Sequence, residues 1–271
     1  MSTEIVYVVS PDFGHYLFAS LASVMASAST FDRVRIYCVG RRPADWVFND
    51  ERIQVDEVEA IDKDYFLANK AYLSRTPADR VVFLDADTIV LRPLDHIWTG
   101  KMADVIGRKA ARYKSPAWDA EGWRARVSAV GGGDSPYLNS GVVVFQNGSH
   151  RKLVDRWPTL TEAEKAVGAA PFGARMAEQV AMSLSIAAER LSVETVEAWA
   201  HAYGWENETP ERTIVFHTGT GEFFRQLTRL RDSNLFRLRS CPASLAGPTG
   251  RLLIWRLIRA RAGRALNPLL K

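Results

Sequence analysis

The stretch Val81-Val82-Phe83-Leu84-Asp85-Ala86-Asp87-Thr88-Ile89-Val90 runs four apolar residues into two carboxylates one residue apart, then into a second apolar run. A continuous apolar run bounded by a polar turn predicts a strand buried on both faces, as in parallel sheets. Asp85 and Asp87 then fall where the strand ends, the usual ligand position in an open α/β sheet. Carboxylates this close repel unless a cation lies between them, and hard oxygen donors suit Mg²⁺ or Mn²⁺, ions that commonly hold a diphosphate. Taken alone, the pair reads more simply as a polar turn, because Asp is frequent in turns. The remainder of the chain reverses that preference.

Upstream, residues 5–9 read as a first buried strand, closed by Ser10-Pro11-Asp12-Phe13-Gly14. Residues 15–28 carry small and apolar side chains suited to a helix lying close on a sheet. Residues 34–39 and 53–58 read as strands, and 64–75 as a helix stopped before Pro77. Strand, helix, strand, strand, helix, strand implies an α/β layer with right-handed crossovers. Downstream, residues 103–107 give a short strand and 137–145 a strongly apolar one whose entry, Asn139-Ser140-Gly141, is small and polar. Gly141 would let a ligand approach the backbone. Residues 172–189 read as a helix containing Glu178-Gln179. Residues 213–216 form a late strand running into His217-Thr218-Gly219-Thr220-Gly221, a loop whose N–H groups could cradle phosphate.

Between these elements the periodicity disappears over residues 108–135, which hold Trp118, Gly122, Trp123 and the triple glycine Gly131-Gly132-Gly133. A long irregular segment in a compact domain is usually functional or disordered. Two readings stand open: a lid that orders over a ligand or acceptor, and a surface loop whose tryptophans cover the sheet.

At 271 residues and 47% hydrophobic content, the chain can bury one sizeable core. There is no basic, apolar leader and no run long enough to span a bilayer, and Cys38 and Cys241 make neither a disulfide framework nor a metal spacing. A cytoplasmic protein is expected, and the glycosylation-like Asn147-Gly148-Ser149 and Asn207-Glu208-Thr209 carry no weight. The whole chain is +4 and residues 237–271 contribute +8, so residues 1–236 carry −4. That contrast marks a boundary between a body, 1–236, and a basic tail, 237–271. The tail interleaves Arg with Leu, Ile and Trp255. It reads either as a peripheral membrane contact at the inner face or as a helix covering the body. With charge confined to the tail and no recognition motif, nucleic acid is not an expected partner.

Phe83-Leu84-Asp85-Ala86-Asp87, Asn139-Ser140-Gly141-Val142, Glu178-Gln179 and Val215-Phe216-His217 together resemble, in order and spacing, glycosyltransferase family 8, the glycogenin and lipopolysaccharide galactosyltransferase group. The resemblance spans roughly residues 5–225. It implies a GT-A fold, a Rossmann-like α/β architecture with a mixed, mostly parallel central sheet. It also implies a metal-dependent transferase that moves a sugar from a UDP-sugar to a glycan, lipid or protein acceptor with retention of configuration.

Carried over by position, the resemblance makes Asp85, Asp87 and His217 ligands of Mn²⁺ or Mg²⁺. It makes Val9, Tyr16, Lys70, Ala86, Asn139, Ser140, Gly141, Gly219, Gly221 and Arg225 donor-binding residues. Gln179 and Glu178 fall beside the anomeric carbon, with no nucleophile chosen between them. Two departures stand out. The family motif His-x-x-Gly-x-x-Lys is altered, with glycines at 219 and 221 and Phe223 at the lysine position, so that Arg225 is the nearest cation able to replace it. Glu178 stands where the family usually has Asp. A nucleotide-sugar hydrolase, an inverting transferase on the same fold, and a degenerate nucleotide-sugar-binding module are the alternatives.

Overall fold

The computed structural model describes residues 1–110, 120–167, 176–204, 206, 211–232, 238 and 241–266. In chain order the elements are β1 (Thr3–Val9), α1 (Gly14–Ala26), β2 (Arg33–Val39), β3 (Ile53–Val58), β4 (Arg80–Leu84), β5 (Thr88–Val90), β6 (Val105–Lys109) and α2 (Ala120–Ala129). There follow β7 (Leu138–Phe145), α3 (Arg156–Val167), α4 (Ala177–Ala188), β8 (Val193–Val196), β9 (His201–Tyr203), β10 (Val215–His217), α5 (Phe223–Asp232) and α6 (Pro248–Leu266). Seven strands make a mixed, mostly parallel sheet in the order β3-β2-β1-β4-β7-β6-β8, and three short ones a second sheet, β9-β10-β5. The expected α/β class and central sheet are therefore present. The chain folds as two compact units, each made of three chain segments.

The first unit holds Met1–Val8, Glu59–Leu84 and Trp98–Val196. Here β4 pairs in parallel with β1 and antiparallel with β7. Val81, Val82, Phe83 and Leu84 are all 0–1% exposed, which is what their unbroken apolar run predicts. Burial of each side chain that size contributes about 1.5–3 kcal/mol against the entropy of ordering it. Helix α4 is buried on every side, and its alanines and serines permit close approach; Leu138 N donates to Ser183 Oγ at 3.0 Å, fixing α4 to the entry of β7.

Two expectations change in this unit. Residues Phe66–Arg75 wind as a 3₁₀ segment rather than an α-helix. The Asn69 side chain takes the place of regular backbone pairing, donating to Phe66 O at 2.7 Å and accepting from Ile61 N at 2.7 Å. Within the expected irregular stretch 108–135, residues Ala120–Ala129 form α2. Only Trp123 and Val127 on that helix are buried, and they join Tyr137, Val180, Leu184 and Ala187 in one apolar cluster. Trp123 is thus a core residue. Trp118, and with it the centre of the suggested lid, lies outside the described residues, as do the start of the 172–189 helix and Asn207-Glu208-Thr209.

The second unit holds Val9–Val58, Asp85–Ile97 and Glu197–Lys271. Helix α1 is buried from Gly14 to Val24, and Val90 N of β5 donates to its Ser23 Oγ at 2.9 Å. Most of the basic C-terminal segment is α6. It opens at Pro248, and its Thr249 N donates to the Asp45 carboxylate at 2.6 Å. A Cβ on Gly250 would lie 2.3 Å from Leu245 Cα, so only glycine fits there. Leu253 and Leu257, one helical turn apart, are buried, whereas Trp255 and Ile258 are 53% and 62% exposed. No described helix is long and apolar enough to cross a membrane.

Arg256 of α6 donates to His15 Nε2 at 3.2 Å. Burial, and secondarily the Arg256 charge, lower the His15 pKa from 6.5 to about 4. Below pH 6.5 the unfolded chain therefore takes up a proton that folded His15 refuses until about pH 4. Stability from this group is complete above pH 6.5, falls as pH drops towards 4, and is flat below that. Thermal melts across this range are expected to show the advantage of the parent over His15→Gln narrowing as pH falls.

Candidate functional site

In the second unit, the turn after β4 is held by its own backbone. Asp85 O accepts from Thr88 N at 3.1 Å and from Thr88 Oγ1 at 2.7 Å. Immediately after, β5 pairs antiparallel with β10, with Thr88 opposite His217 and Val90 opposite Val215. That register sets the His217 ring beside Asp87. The next residue, Thr218, locks the other loop, since both its N (3.1 Å) and Oγ1 (2.7 Å) donate to Asp87 O. The side chains of both aspartates stay outside these clamps.

The outcome is a cluster of three ligand-type groups. His217 Nε2 lies 3.0 Å from Asp87 Oδ1 and 4.0 Å from Asp85 Oδ2, and one donor atom from each residue lies within 4.8 Å of the others. Ligands at neighbouring corners of an octahedron around Mg²⁺ or Mn²⁺ are about 3 Å apart, which is the separation of His217 Nε2 from Asp87 Oδ1. Two oxygens and one imidazole nitrogen also match the ligand preference of such an ion, with room for oxygens of a ligand. The resemblance puts all three residues in one site, and the structure brings them together.

Other expected donor residues of this unit lie in its core and loops. Val9 and Ala86 are buried. Tyr16 donates its hydroxyl to Thr220 O at 3.3 Å, and burial pushes its pKa up, opposed by Arg256 and reinforced by Asp87. Gly219 has φ +70°, a backbone state that favours glycine, and a Cβ on Gly221 would meet nothing within 4 Å. Arg225 of α5 is exposed and ion-paired with Glu222, the residue just before that helix. Phe223 is fully buried with its ring 4.6 Å from that of Tyr16. The residue at the family's lysine position is therefore a core aromatic.

In the first unit a separate polar network forms around Ser140. Lys70 Nζ donates to Ser140 Oγ at 3.3 Å, and Ser140 Oγ donates to Glu178 Oε2 at 3.1 Å. Gln179 Oε1 accepts from Ser140 N (3.1 Å) and Asn139 Nδ2 (3.0 Å), while its Nε2 donates to Tyr137 OH at 2.6 Å. Asn139 Oδ1 in turn accepts from Gly141 N at 2.8 Å. Glu178 and Gln179 are each 1% exposed, so neither is a solvated surface side chain of its helix. Lys70, Asn139, Ser140, Gly141, Glu178 and Gln179 thus share one network. Tyr137 and Tyr65, which accepts from Glu178 N at 3.1 Å, are members of this network that sequence reading missed, and in the carboxylate cluster of the second unit so is His201, beside His217.

No family profile and no curated sequence matches the chain. Solved structures do. The galactosyltransferase LgtC in complex with donor and acceptor sugar analogues superposes with a TM-score of 0.59 at 16% identity, covering 81% of this chain and 88% of that one. The chain has the GT-A fold. An active-site mutant of LgtC with a glutamine changed to glutamate gives a TM-score of 0.60 at 14% identity, over 93% of this chain and 94% of that one. The apo bifunctional glycosyltransferase WbbM gives 0.55 at 14%, over 95% of this chain but 52% of that longer one. At these identities the GT-A likeness is one of fold.

Proposed function

We propose that the chain is a metal-dependent, retaining glycosyltransferase that moves a sugar from a UDP-sugar to a hydroxyl of a glycan, lipid-linked glycan or protein. The observation that carries this reading is the Asp85–Asp87–His217 cluster on a fold shared with glycosyltransferases. LgtC was crystallised with donor and acceptor sugar analogues, which supports sugars as partners here. A divalent ion held by the three residues, Mn²⁺ or Mg²⁺, would neutralise the charge of a departing diphosphate.

In this reading Tyr16 and Val9 meet the base, and the N–H groups around Ala86, Gly219 and Gly221 meet the diphosphate. Arg225 adds positive charge once released from its exposed pair with Glu222, an exchange that costs little. Lys70, Asn139, Ser140 and Gly141 serve the sugar side. Glu178 and Gln179 stabilise positive charge that develops on the anomeric carbon, an electrostatic role open to a carboxylate or an amide oxygen. Calorimetric titration of UDP with and without Mn²⁺ tests the nucleotide site. Metal-dependent binding is expected, and no binding by the folded chain would overturn the reading. NMR of the product anomer then tests retention. Phe223 in place of a cation favours the second reading, a binding module without turnover.

Leu252, Trp255 and Ile258 on α6 are exposed beside Arg251 and Arg259, which supports peripheral contact of the 237–271 tail with anionic lipid. Co-sedimentation with phosphatidylserine vesicles is expected at low salt and should be lost in Trp255→Ser. Equal sedimentation of the two proteins would remove this assignment.

A further inference from the structure

His217 sits within a cluster of three aromatic rings supplied by β9 and β10. The two strands pair in parallel, with Tyr203 opposite His217 and His201 opposite Val215. The rings of Tyr203 and His217 stack with centroids 4.9 Å apart and 25° between planes; those of His201 and His217 are 5.6 Å apart and inclined by 14°. His201 is 1% exposed, and its Nε2 lies 3.3 Å from His217 Nδ1. The opposite nitrogen of His217, Nε2, is the one that faces Asp87 and Asp85.

An imidazole that binds a cation through one nitrogen must offer a lone pair there and carry its proton on the other. That second nitrogen almost always donates to an oriented partner, which fixes both tautomer and ring angle. At His217 the second nitrogen is Nδ1, and the atom at hydrogen-bond distance from it is His201 Nε2. We propose that His201 is the positioning residue of the metal site. With the ion bound, His201 Nε2 accepts a hydrogen bond from His217 Nδ1–H, which turns the His217 Nε2 lone pair towards the ion. Neither ring changes its proton count. In that metal-bound state each neutral imidazole holds its proton on Nδ1, and stacking by Tyr203 holds the His217 plane. This assignment rests on the metal-dependent reading above and extends it to a residue that does not itself face the carboxylates.

The test is Mn²⁺ affinity, read by the electron paramagnetic resonance of free Mn²⁺, for the parent chain, His201→Phe and His201→Gln. Phenylalanine keeps the ring and removes the acceptor, and about a 10–100-fold loss of affinity is expected, the range for outer-shell partners of metal ligands. Glutamine, whose amide oxygen reaches a similar distance, is expected to restore most of it, which a purely space-filling role for His201 would not give. Imidazole ¹⁵N spectra of the unsubstituted chain with Mg²⁺ supply a second readout that does not depend on how either variant folds. His217 Nδ1 should appear as a protonated nitrogen and His201 Nε2 as a lone-pair nitrogen. Mn²⁺ affinity within twofold of the parent in His201→Phe, or a His201 Nε2 that carries the proton with Mg²⁺ bound, overturns the assignment of His201 alone. A folded parent chain that binds no Mn²⁺ overturns the metal reading and this inference with it.

Discussion

Asp87→Ala is expected to abolish Mn²⁺-dependent UDP binding, with apparent affinity down by more than about 100-fold, since removing a ligand should exceed the loss seen for outer-shell partners. The structure makes this substitution a clean one. Asp87 takes part in the fold through its backbone carbonyl, which accepts from Thr218 N and Oγ1, and alanine keeps that carbonyl. What it removes is the carboxylate 3.0 Å from His217 Nε2. In metal-free buffer the variant should melt close to the parent, because one member of a repelling carboxylate pair has gone. The difference should emerge on adding Mn²⁺ with UDP. Ligand at about 100 times its dissociation constant stabilises a folded state by about 2.7 kcal/mol, or roughly 5–11 °C at about 2–4 °C per kcal/mol for a chain of this class. The parent should show that rise and Asp87→Ala should show none. Equal rises in both would mean that Asp87 is not a ligand.

That Asp85, Asp87 and His217 each stand at the end of an apolar run was readable, because apolar runs are what sequence reports best; that they share a metal came only from the family resemblance. The strand Arg80–Leu84 owes its burial to side chains that allow no other placement. What brings His217 to Asp87 was not readable. The small sheet is made of β5, β9 and β10, each three residues long. Three residues are too few to show an alternating period, and their pairing is settled only by tertiary contact. His201 was invisible for the same reason, since His-Ala-Tyr carries no pattern of its own.

Helix α2 escaped for a different reason. With Trp123 and Val127 as its only buried residues, and Gly122 beside them, its sequence looks like a polar loop. Phe223 gave the opposite kind of signal. A missing lysine was legible as a departure, but only the fold shows that a buried ring packed on Tyr16 occupies the position.

On the function proposed above, Gln179→Ala is expected to reduce sugar transfer by about two orders of magnitude, the loss typical of removing one preorganised polar group at a reacting centre. The Gln179 amide makes three hydrogen bonds at once, to Ser140 N, Asn139 Nδ2 and Tyr137 OH. Its oxygen is therefore held in one orientation before any substrate arrives, so no reorganisation cost falls on the transition state. Alanine leaves Ser140 N and Asn139 without that acceptor in a buried setting, at about 1–3 kcal/mol of stability. Gln179→Glu separates the two effects. A carboxylate keeps an acceptor for Ser140 N and Asn139, and the Tyr137 hydroxyl can turn to donate to it, so the fold should persist. The added charge, however, lies beside Glu178, and two neighbouring carboxylates disfavour joint ionisation. Activity should thus stay low in the glutamate variant even as melting temperature recovers. UDP and Mn²⁺ are assigned to residues of the other unit, so calorimetric affinity for them should hold within about twofold in both variants while turnover falls. If turnover instead followed stability across the pair, Gln179 would be a packing residue, and charge stabilisation would pass to Glu178 alone.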